Sequence, residues 1–276
     1  MSHPVIDALR SPDPTRRRDA CRAAPSDPSA VLLLDALGEV LGDPARDVSR
    51  AAADALAAIG RQHREVDATL RRALRSDHPV RRYRAAATLA RLAPPSPSLI
   101  PALVDGLAHP EGDVRWGAAR LLVDTGRLHG EVLGILLGLL RADGRSRVRR
   151  MAAFALRELA PDHPECARAL VLASGDEDPN VKRAALTAMA SLLDPPPEVL
   201  ARLLAALDGD DDPASRRIAT VALAALGSAR PGWLPARAEE KLRALAAADP
   251  DDDLRRGAVR ALDRLAAAAP PEGAPR

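Results

Sequence analysis

The sequence predicts an all-α fold made of about eight stacked helical hairpins. The main observation is a recurring phrase, an aspartate in a turn, a basic pair and then Ala-Ala-x-Ala-Leu, as in Asp143, Arg149-Arg150 and residues 152–156. Its apolar residue recurs at spacings of 33, 33, 34, 33, 34 and 39 residues, at Leu56, Leu89, Leu122, Leu156, Met189, Leu223 and Leu262. No segment alternates between polar and apolar residues, so no sheet is predicted. A fixed period of this length indicates repeats that each pack on their neighbours.

The second helix of each repeat is predicted from the phrase itself. Apolar residues at offsets 0, 4, 7, 8 and 11 from a residue such as Val48 or Val148 fall on one face of a helix. One position of this stripe is alanine in all seven clear repeats, at Ala52, Ala85, Ala118, Ala152, Ala185, Ala219 and Ala258. A small side chain there lets neighbouring helices approach closely, because a larger one would overpack the contact.

The first helix of each repeat is predicted as a shorter apolar run, for example 30–41, 99–107, 131–140 and 199–207. Prolines precede or open several first helices, at Pro28, Pro97, Pro164, Pro197 and Pro235. Proline is tolerated in a first helical turn and disfavours helix just before it, so these residues punctuate the repeats.

The ends of the array are less regular. A weaker repeat at about 5–25 precedes the seven clear ones, and the last step, at about 228–268, has a longer connection in which Trp233 is predicted to fill the joint. We expect one elongated domain over residues 1–269 and a disordered tail over residues 270–276.

The phrase resembles HEAT repeats, most closely the short bacterial type named after the phycobilisome lyases, over about residues 5–268. The resemblance implies a right-handed α-α superhelical solenoid with a ladder of acidic and basic residues along its turns. The acidic positions are Asp43, Asp143, Asp176, Asp210 and Asp249, and the basic ones are Arg82, Arg115, Arg149, Lys182, Arg216 and Arg255. An aspartate near a helix start would cap the helix, and the arginine would bridge to the next repeat's aspartate.

The composition limits the classes of partner that we expect. The net charge of +2 is too near neutral to indicate a nucleic-acid or membrane partner by itself, and no 18-residue apolar run is present. The two cysteines, Cys21 and Cys166, lie far apart in the array and are not expected to pair, which fits a reducing, cytoplasmic location.

Neither metal nor nucleophilic chemistry is expected. The loop histidines His63, His129 and His163 recur at the same offset, about one helix spacing or 8–10 Å apart, which is too far to share a zinc ion. The HEAT-repeat di-iron hydroxylases use His-Glu pairs, and this chain contains none. We expect no catalytic residue, no cofactor and no metal.

The second basic position of the phrase gives the candidate site. It lies about 200° from the apolar stripe, so it points away from the core. Phe154 lies about two-thirds of a turn round the helix from Val148, on the same exposed side. Together these residues form a predicted partner-binding strip on the concave side: Arg50, Tyr83, Trp116, Arg150, Phe154, Arg183, Arg217 and Arg256. Tyrosine, tryptophan and arginine dominate interface energetics. The alternative is that the aromatic rings pack over small alanines and contribute burial alone.

These patterns favour a non-catalytic scaffold or adaptor that binds a partner protein or an acidic peptide. One alternative is an enzyme or enzyme subunit of lyase-like or metal-dependent oxygenase-like type. Only the analogy with the family supports this alternative. The other is a nucleic-acid-binding solenoid whose arginine column follows phosphates. Against it, acidic runs such as residues 176–178, 210–212 and 251–253 would repel a nucleic-acid backbone.

Overall fold

The computed structural model describes residues 3–209 and 212–268, and within these ranges the chain is all helical. Three short 3₁₀ segments occur at Ala24–Ser26, Ala30–Leu33 and Pro97–Leu99. The described α-helices are α1 Pro4–Leu9, α2 Pro14–Ala23, α3 Leu34–Val40, α4 Arg46–Gly60, α5 Glu65–Ala73, α6 Pro79–Leu92, α7 Ile100–Leu107, α8 Gly112–Leu128, α9 Glu131–Ala142, α10 Ser146–Leu159, α11 Pro164–Ala173, α12 Pro179–Met189, α13 Pro197–Gly209, α14 Pro213–Ala229, α15 Ala236–Ala248 and α16 Asp252–Ala268. Consecutive pairs form hairpins 1 to 8 over the described residues, so the predicted α solenoid of about eight hairpins is confirmed. The predicted tail, 270–276, lies outside these ranges.

The chain divides into two compact units, Met1–Val132 and Leu133–Arg276. In the first unit the second helices of successive hairpins contact one another in the order α2, α4, α6, α8. In the second unit α10, α12, α14 and α16 do the same. We call each row the second-helix layer of its unit. The prediction of one domain over 1–269 stays a prediction.

Helix starts follow from local chemistry. Asp13, Asp178 and Asp212 each precede a proline that opens a helix, and each side chain accepts a hydrogen bond from a backbone N–H of the first turn. The proline lacks the N–H that would be unsatisfied there, and the carboxylate satisfies one of those that remain. The second helices α2, α12 and α14 therefore begin where the sequence pattern places them.

The core lies along the predicted stripe. All seven alanines of the repeat position are completely buried. The leucine position is also buried from Leu56 to Leu223, whereas Leu262 of the last hairpin is half-buried and Ala261 takes its place in the core. Close helix contact over alanine thus forms the centre of each hairpin pair, as the pattern predicts.

The longer last connection contains Gly232, whose φ of 88° lies in the left-handed region that favours glycine. Beyond this turn, Leu234 is buried and packs beside Gly227 of α14. Trp233 is half-buried. The prediction that Trp233 fills this joint stays a prediction, and the residue after it, Leu234, is the one that is buried here.

Ion pairs between turns join hairpins, and we call them the turn ladder: Arg17–Asp43, Arg149–Asp176 and Arg216–Asp249. Arg149 donates to both carboxylate oxygens of Asp176, at 2.7 and 2.8 Å, and to the backbone oxygen of Asp143 in its own turn, at 2.9 Å. Each ladder arginine of this kind ties its own loop to the next hairpin. The bridge that the sequence predicts is therefore confirmed for Arg149–Asp176 and Arg216–Asp249, and Arg17–Asp43 is a further bridge of the same kind that the sequence analysis did not include.

The ladder aspartates differ from the prediction in one respect. Asp43 accepts a hydrogen bond from the backbone N–H of Ala45 at 2.8 Å, before α4 begins, and Asp176 accepts one from Asp178 in the same way. They stabilise an Asx turn ahead of the helix rather than capping the helix itself. The capping role belongs to residues such as Asp178.

The turn ladder is interrupted in the first unit. Ser49 replaces the arginine and donates to the backbone oxygen of Leu41 at 2.8 Å, and Ser76 replaces the next aspartate. Arg82 pairs instead with Asp105 of α7, at 2.7 Å. The position that would face Lys182 is Asp210, which lies outside the described residues.

The turn ladder predicts how stability changes with pH. Hydrogen bonds from Arg149 and Arg216 hold the pKa values of Asp176 and Asp249 below their ordinary range. A lowered folded-state pKa contributes stability that is complete above the unfolded value, about 3.9, and is lost as pH falls through the folded value. We expect urea denaturation to show Asp176→Asn less stable than wild type at pH 7, with a gap that narrows as pH is lowered below 4. A constant gap from pH 7 to pH 3 would contradict this assignment.

Candidate functional site

The predicted strip lies on the second helices, and its members divide between the two units. Arg50, Tyr83 and Trp116 stand on α4, α6 and α8 of the first unit. The members of the second unit stand on α10, α12, α14 and α16, and they are Arg150, Phe154, Arg183, Arg217 and Arg256.

Tyr83 does not lie on the surface that the sequence predicts. Its side chain is 6% exposed, and the ring lies against Gly106 of α7 and Gly117 of α8. Burial raises the pKa of its phenol. Its place as an exposed anchor was wrong, because two glycines leave space between the helices for the ring. This matches the packing alternative, and the two glycines were the sequence signal for it.

Trp116 is exposed, with 45% of its surface accessible. It stands one turn after Asp113 on α8, so both side chains project from the same side of that helix. Asp113 is not part of the repeat phrase, and the sequence analysis did not select it. It nevertheless ties Arg50 of α4 to α8, the helix that carries Trp116.

Three arginines meet at Asp113. Its Oδ2 atom lies 2.9 Å from Nη2 of Arg46, 2.8 Å from Nη2 of Arg50 and 3.8 Å from Nη2 of Arg84. We call these four residues the Asp113 cluster. Two of its arginines come from α4 and one from α6, whereas the carboxylate comes from α8. The cluster therefore joins hairpins 2, 3 and 4.

The pKa values of Asp113 and Arg84 are both lowered, but for different reasons. Burial acts to raise the pKa of Asp113, but Arg46, Arg50 and Arg84 outweigh it, so the pKa is lowered. The Arg84 side chain is 11% exposed and its guanidinium lies 5.5 Å from the centre of the Tyr83 ring. Burial lowers the pKa of Arg84, and the charge of Arg50 acts in the same direction. Within the described structure, the buried Nε of Arg84 has no hydrogen-bond acceptor.

The ion pairs between α4 and α8 also indicate how the local surface is curved. Helix α6 lies between them, since it contacts both. Two helix spacings amount to about 16–20 Å between axes, which an arginine and an aspartate do not span from coplanar helices. The exposed face of the second-helix layer of the first unit therefore curves inward at the Asp113 cluster.

A cavity of about 390 Å³ opens beside Arg50 on the other side of α4. Its lining residues combine apolar and charged side chains, and they are Cys21, Arg22, Pro25, Asp47, Arg50, Ala51, Asp54 and Ala55. Burial raises the pKa of Cys21 to about 12, so the sulfur stays a thiol at neutral pH. A protonated thiol is a weak nucleophile, so the cavity is suited to binding rather than to covalent chemistry.

In the second unit, most strip arginines pair with acids at the start of their own second helix or of the second helix in the next hairpin. Arg183 lies 3.4 Å from Asp212, and Arg217 and Arg256 both pair with Asp253, at 2.8 and 2.6 Å. Such exposed pairs contribute little stability. Phe154 is half-buried beneath the guanidinium of Arg157, 5.0 Å from the ring centre. The Nε of Arg150 is buried with no acceptor in the described part of the chain.

Residues 3–209 and 212–268 contain no group of three or more His, Cys, Asp or Glu residues arranged to hold a metal ion. Over the same residues, no helix has the length and apolar character needed to cross a membrane. Cys21 and Cys166 are both free and buried.

A family model described as HEAT repeats matches residues 2–90, 66–157 and 167–263. These segments together take in most of the chain, including every residue of the Asp113 cluster. No curated protein matches the sequence.

Several solved structures share the helical architecture. The karyopherin Kap121p bound to Nup53p gives a TM-score of 0.62 at 15% identity, covering 96% of this chain and 33% of that one. Kap121p bound to the extreme C-terminus of the phosphatase Cdc14p gives 0.61 at 14% identity, with the same coverage. YibA of Escherichia coli gives 0.57 at 19% identity, covering 94% and 91%. The chain spans about a third of the karyopherin chains. At these identities the similarities show the fold alone.

Proposed function

Since the chain belongs to the HEAT repeat family, we propose that it is a non-catalytic scaffold or adaptor that binds an acidic segment of a partner protein. The observation that carries this proposal is the Asp113 cluster, where three arginines share one carboxylate beside the exposed Trp116. We place the binding on the second-helix layer of the first unit. The cytoplasmic location and the phycobilisome-lyase type of repeat stay predictions.

The chemistry of the site suits a carboxylate-rich segment. Arg46 and Arg50 have side chains that are 51% and 48% exposed, so about half of each side-chain surface is accessible beside Asp113. Arginine binds carboxylates through paired, charge-assisted hydrogen bonds. Trp116 adds a large apolar surface next to them, and tryptophan and arginine are the residue types that dominate binding energy at interfaces.

The inward curve of the layer supports the same proposal, because a concave surface contacts a partner segment from more than one hairpin. The Kap121p structures contain Nup53p and the C-terminus of Cdc14p. Those partners belong to Kap121p, and they supply an example of a similar fold that binds protein segments.

We extend the proposal to the strip residues of the second unit as a separate surface. These are Arg150, Phe154, Arg183, Arg217 and Arg256. The exposed ion pairs of Arg183, Arg217 and Arg256 would be exchanged for partner carboxylates at little cost. The two surfaces are to be tested by separate substitutions.

The test of the first-unit site uses a fluorescein-labelled peptide of eight glutamates and anisotropy at low salt. We expect the wild-type chain to bind it, and Trp116→Ala and Arg50→Gln each to weaken binding about tenfold, as for a central interface residue. A peptide of eight lysines should not bind. Circular dichroism should show unchanged helicity in both variants, since both side chains lie on the surface.

The matched control is Arg71→Gln. Arg71 forms an exposed pair with Asp67 on the first helix α5, so this change removes the same charge from the other layer. Binding should be unaffected. If Arg71→Gln weakens binding as much as Arg50→Gln does, the peptide follows net charge and the proposed site is wrong.

A further inference from the structure

We propose that the Asp113 cluster binds the phosphate group of a phosphorylated side chain in the partner segment. This inference rests on the proposed function and names the residue class that the site selects. Its support comes from the charge balance of the cluster, its hydrogen-bond donors and its difference from the other ion pairs of the chain.

The charge balance favours a dianion. Within the four residues of the cluster, three guanidinium groups against one carboxylate leave two positive charges in excess. A phosphorylated serine carries about −1.5 to −2 charges at neutral pH. A glutamate carries one negative charge and would leave the cluster half neutralised.

The donors of the cluster exceed its acceptors. Each arginine presents five N–H donors and no acceptor. Within hydrogen-bond geometry, Asp113 accepts from Arg50 at 2.8 Å, while the buried Nε of Arg84 finds no acceptor among the described residues. Arg46 and Arg50 are about half exposed. A phosphate supplies three further acceptor oxygens, and the planar guanidinium is suited to phosphate recognition.

The cluster differs from the ion pairs that stabilise the fold. In the turn ladder one arginine meets one carboxylate through two hydrogen bonds, as Arg149 meets Asp176. At Asp113 three arginines from two helices converge on a single oxygen atom. A structural pair needs no such excess of like charge, since the arginines repel one another.

The surroundings favour one phosphate on a protein over the many phosphates of a nucleic acid. Asp47 and Asp54 line the cavity on the far side of Arg50, and Glu111 stands at the start of α8. A nucleic-acid backbone that placed one phosphate on the cluster would bring its neighbours towards these carboxylates. A peptide with a single phosphate places that one group on the cluster and brings no further phosphates towards these carboxylates.

The test compares three labelled nonapeptides that differ at the central residue, which is phosphoserine, glutamate or serine, each flanked by two glutamates. We expect the phosphoserine peptide to bind about tenfold more tightly than the glutamate peptide, because its additional charge and oxygens meet the free donors. Arg46→Gln and Arg50→Gln should each remove most of that ratio. Arg71→Gln should keep it, and inorganic phosphate should compete more strongly than chloride at equal ionic strength.

Each contrary result has one meaning. If the phosphoserine and glutamate peptides bind equally while Trp116→Ala still weakens octaglutamate binding, the phosphate inference is wrong and the proposed function stands. If no acidic peptide binds, the proposed function itself is wrong. If a single-stranded oligonucleotide binds more tightly than the phosphopeptide and Arg50→Gln abolishes that binding, the ligand is a nucleic acid and the inference is overturned.

Discussion

Replacing Arg149 with alanine is expected to lower the free energy of unfolding by about 3 kcal/mol, because it leaves a largely buried carboxylate without its partner. The side chains of Arg149 and Asp176 are each 11% exposed, so water replaces the lost hydrogen bonds poorly. The same change removes the bond to the backbone oxygen of Asp143. In a repeat array, stability is a sum of terms within hairpins and between neighbours. The loss therefore falls on the contact between hairpins 5 and 6.

Urea denaturation followed by circular dichroism measures this change. The matched control is Arg243→Ala, which breaks an exposed pair with Glu239 on α15 and should change stability by less than about 0.5 kcal/mol. Equal losses for Arg149→Ala and Arg243→Ala would show that the turn ladder contributes no more than a surface ion pair.

Replacing Gly117 with alanine is expected to lower the free energy of unfolding by about 2 kcal/mol, although alanine is the better helix former. A Cβ atom at this position would lie 3.0 Å from Cζ of Tyr83 and closer still to its hydroxyl oxygen. Overpacking of a buried site costs about 1–3 kcal/mol or more. The helix-propensity gain of about 1 kcal/mol offsets a part of it.

Two further variants isolate the cause. Gly257→Ala on α16 adds a Cβ atom that meets nothing within 4 Å, so it should stabilise the chain by up to about 1 kcal/mol. Tyr83→Phe removes the hydroxyl oxygen, and Gly117→Ala should then cost about 1 kcal/mol less than in the wild-type background. An unchanged cost in the Tyr83→Phe background would show that Tyr83 is not the obstacle.

The turn ladder and the alanine stripe could be predicted because they depend on one repeat and its neighbour. The bridge from Arg149 to Asp176 is such a feature, since the period fixes which turn follows which. The completely buried position of Ala152 follows from helical geometry alone. Features that recur in every repeat can be predicted from a single sequence.

The candidate site could be predicted less well. Tyr83 occupies an outward position of the phrase, but Gly106 and Gly117 in the following hairpin leave room for its ring to be buried. Asp113 meets Arg46 and Arg50 from two hairpins away, a contact that skips one repeat. Such a contact depends on the curvature of the layer, which the sequence pattern does not specify. Arg50 and Trp116 were selected correctly as exposed, while the residue between them was missed.

The interruption of the turn ladder has a mechanical consequence. Ser49 and Ser76 remove the ladder bond that would join the turn of hairpin 2 to the turn of hairpin 3, whereas the Asp113 cluster fastens both hairpins to hairpin 4. The cluster thus joins three successive hairpins of the first unit, and it is also the place where the ligand is proposed to dock. An anion that links Arg46 and Arg50 with Arg84 would tighten it. The fraction of molecules with an anion bound at the Asp113 cluster would then determine the elastic stiffness of the first unit.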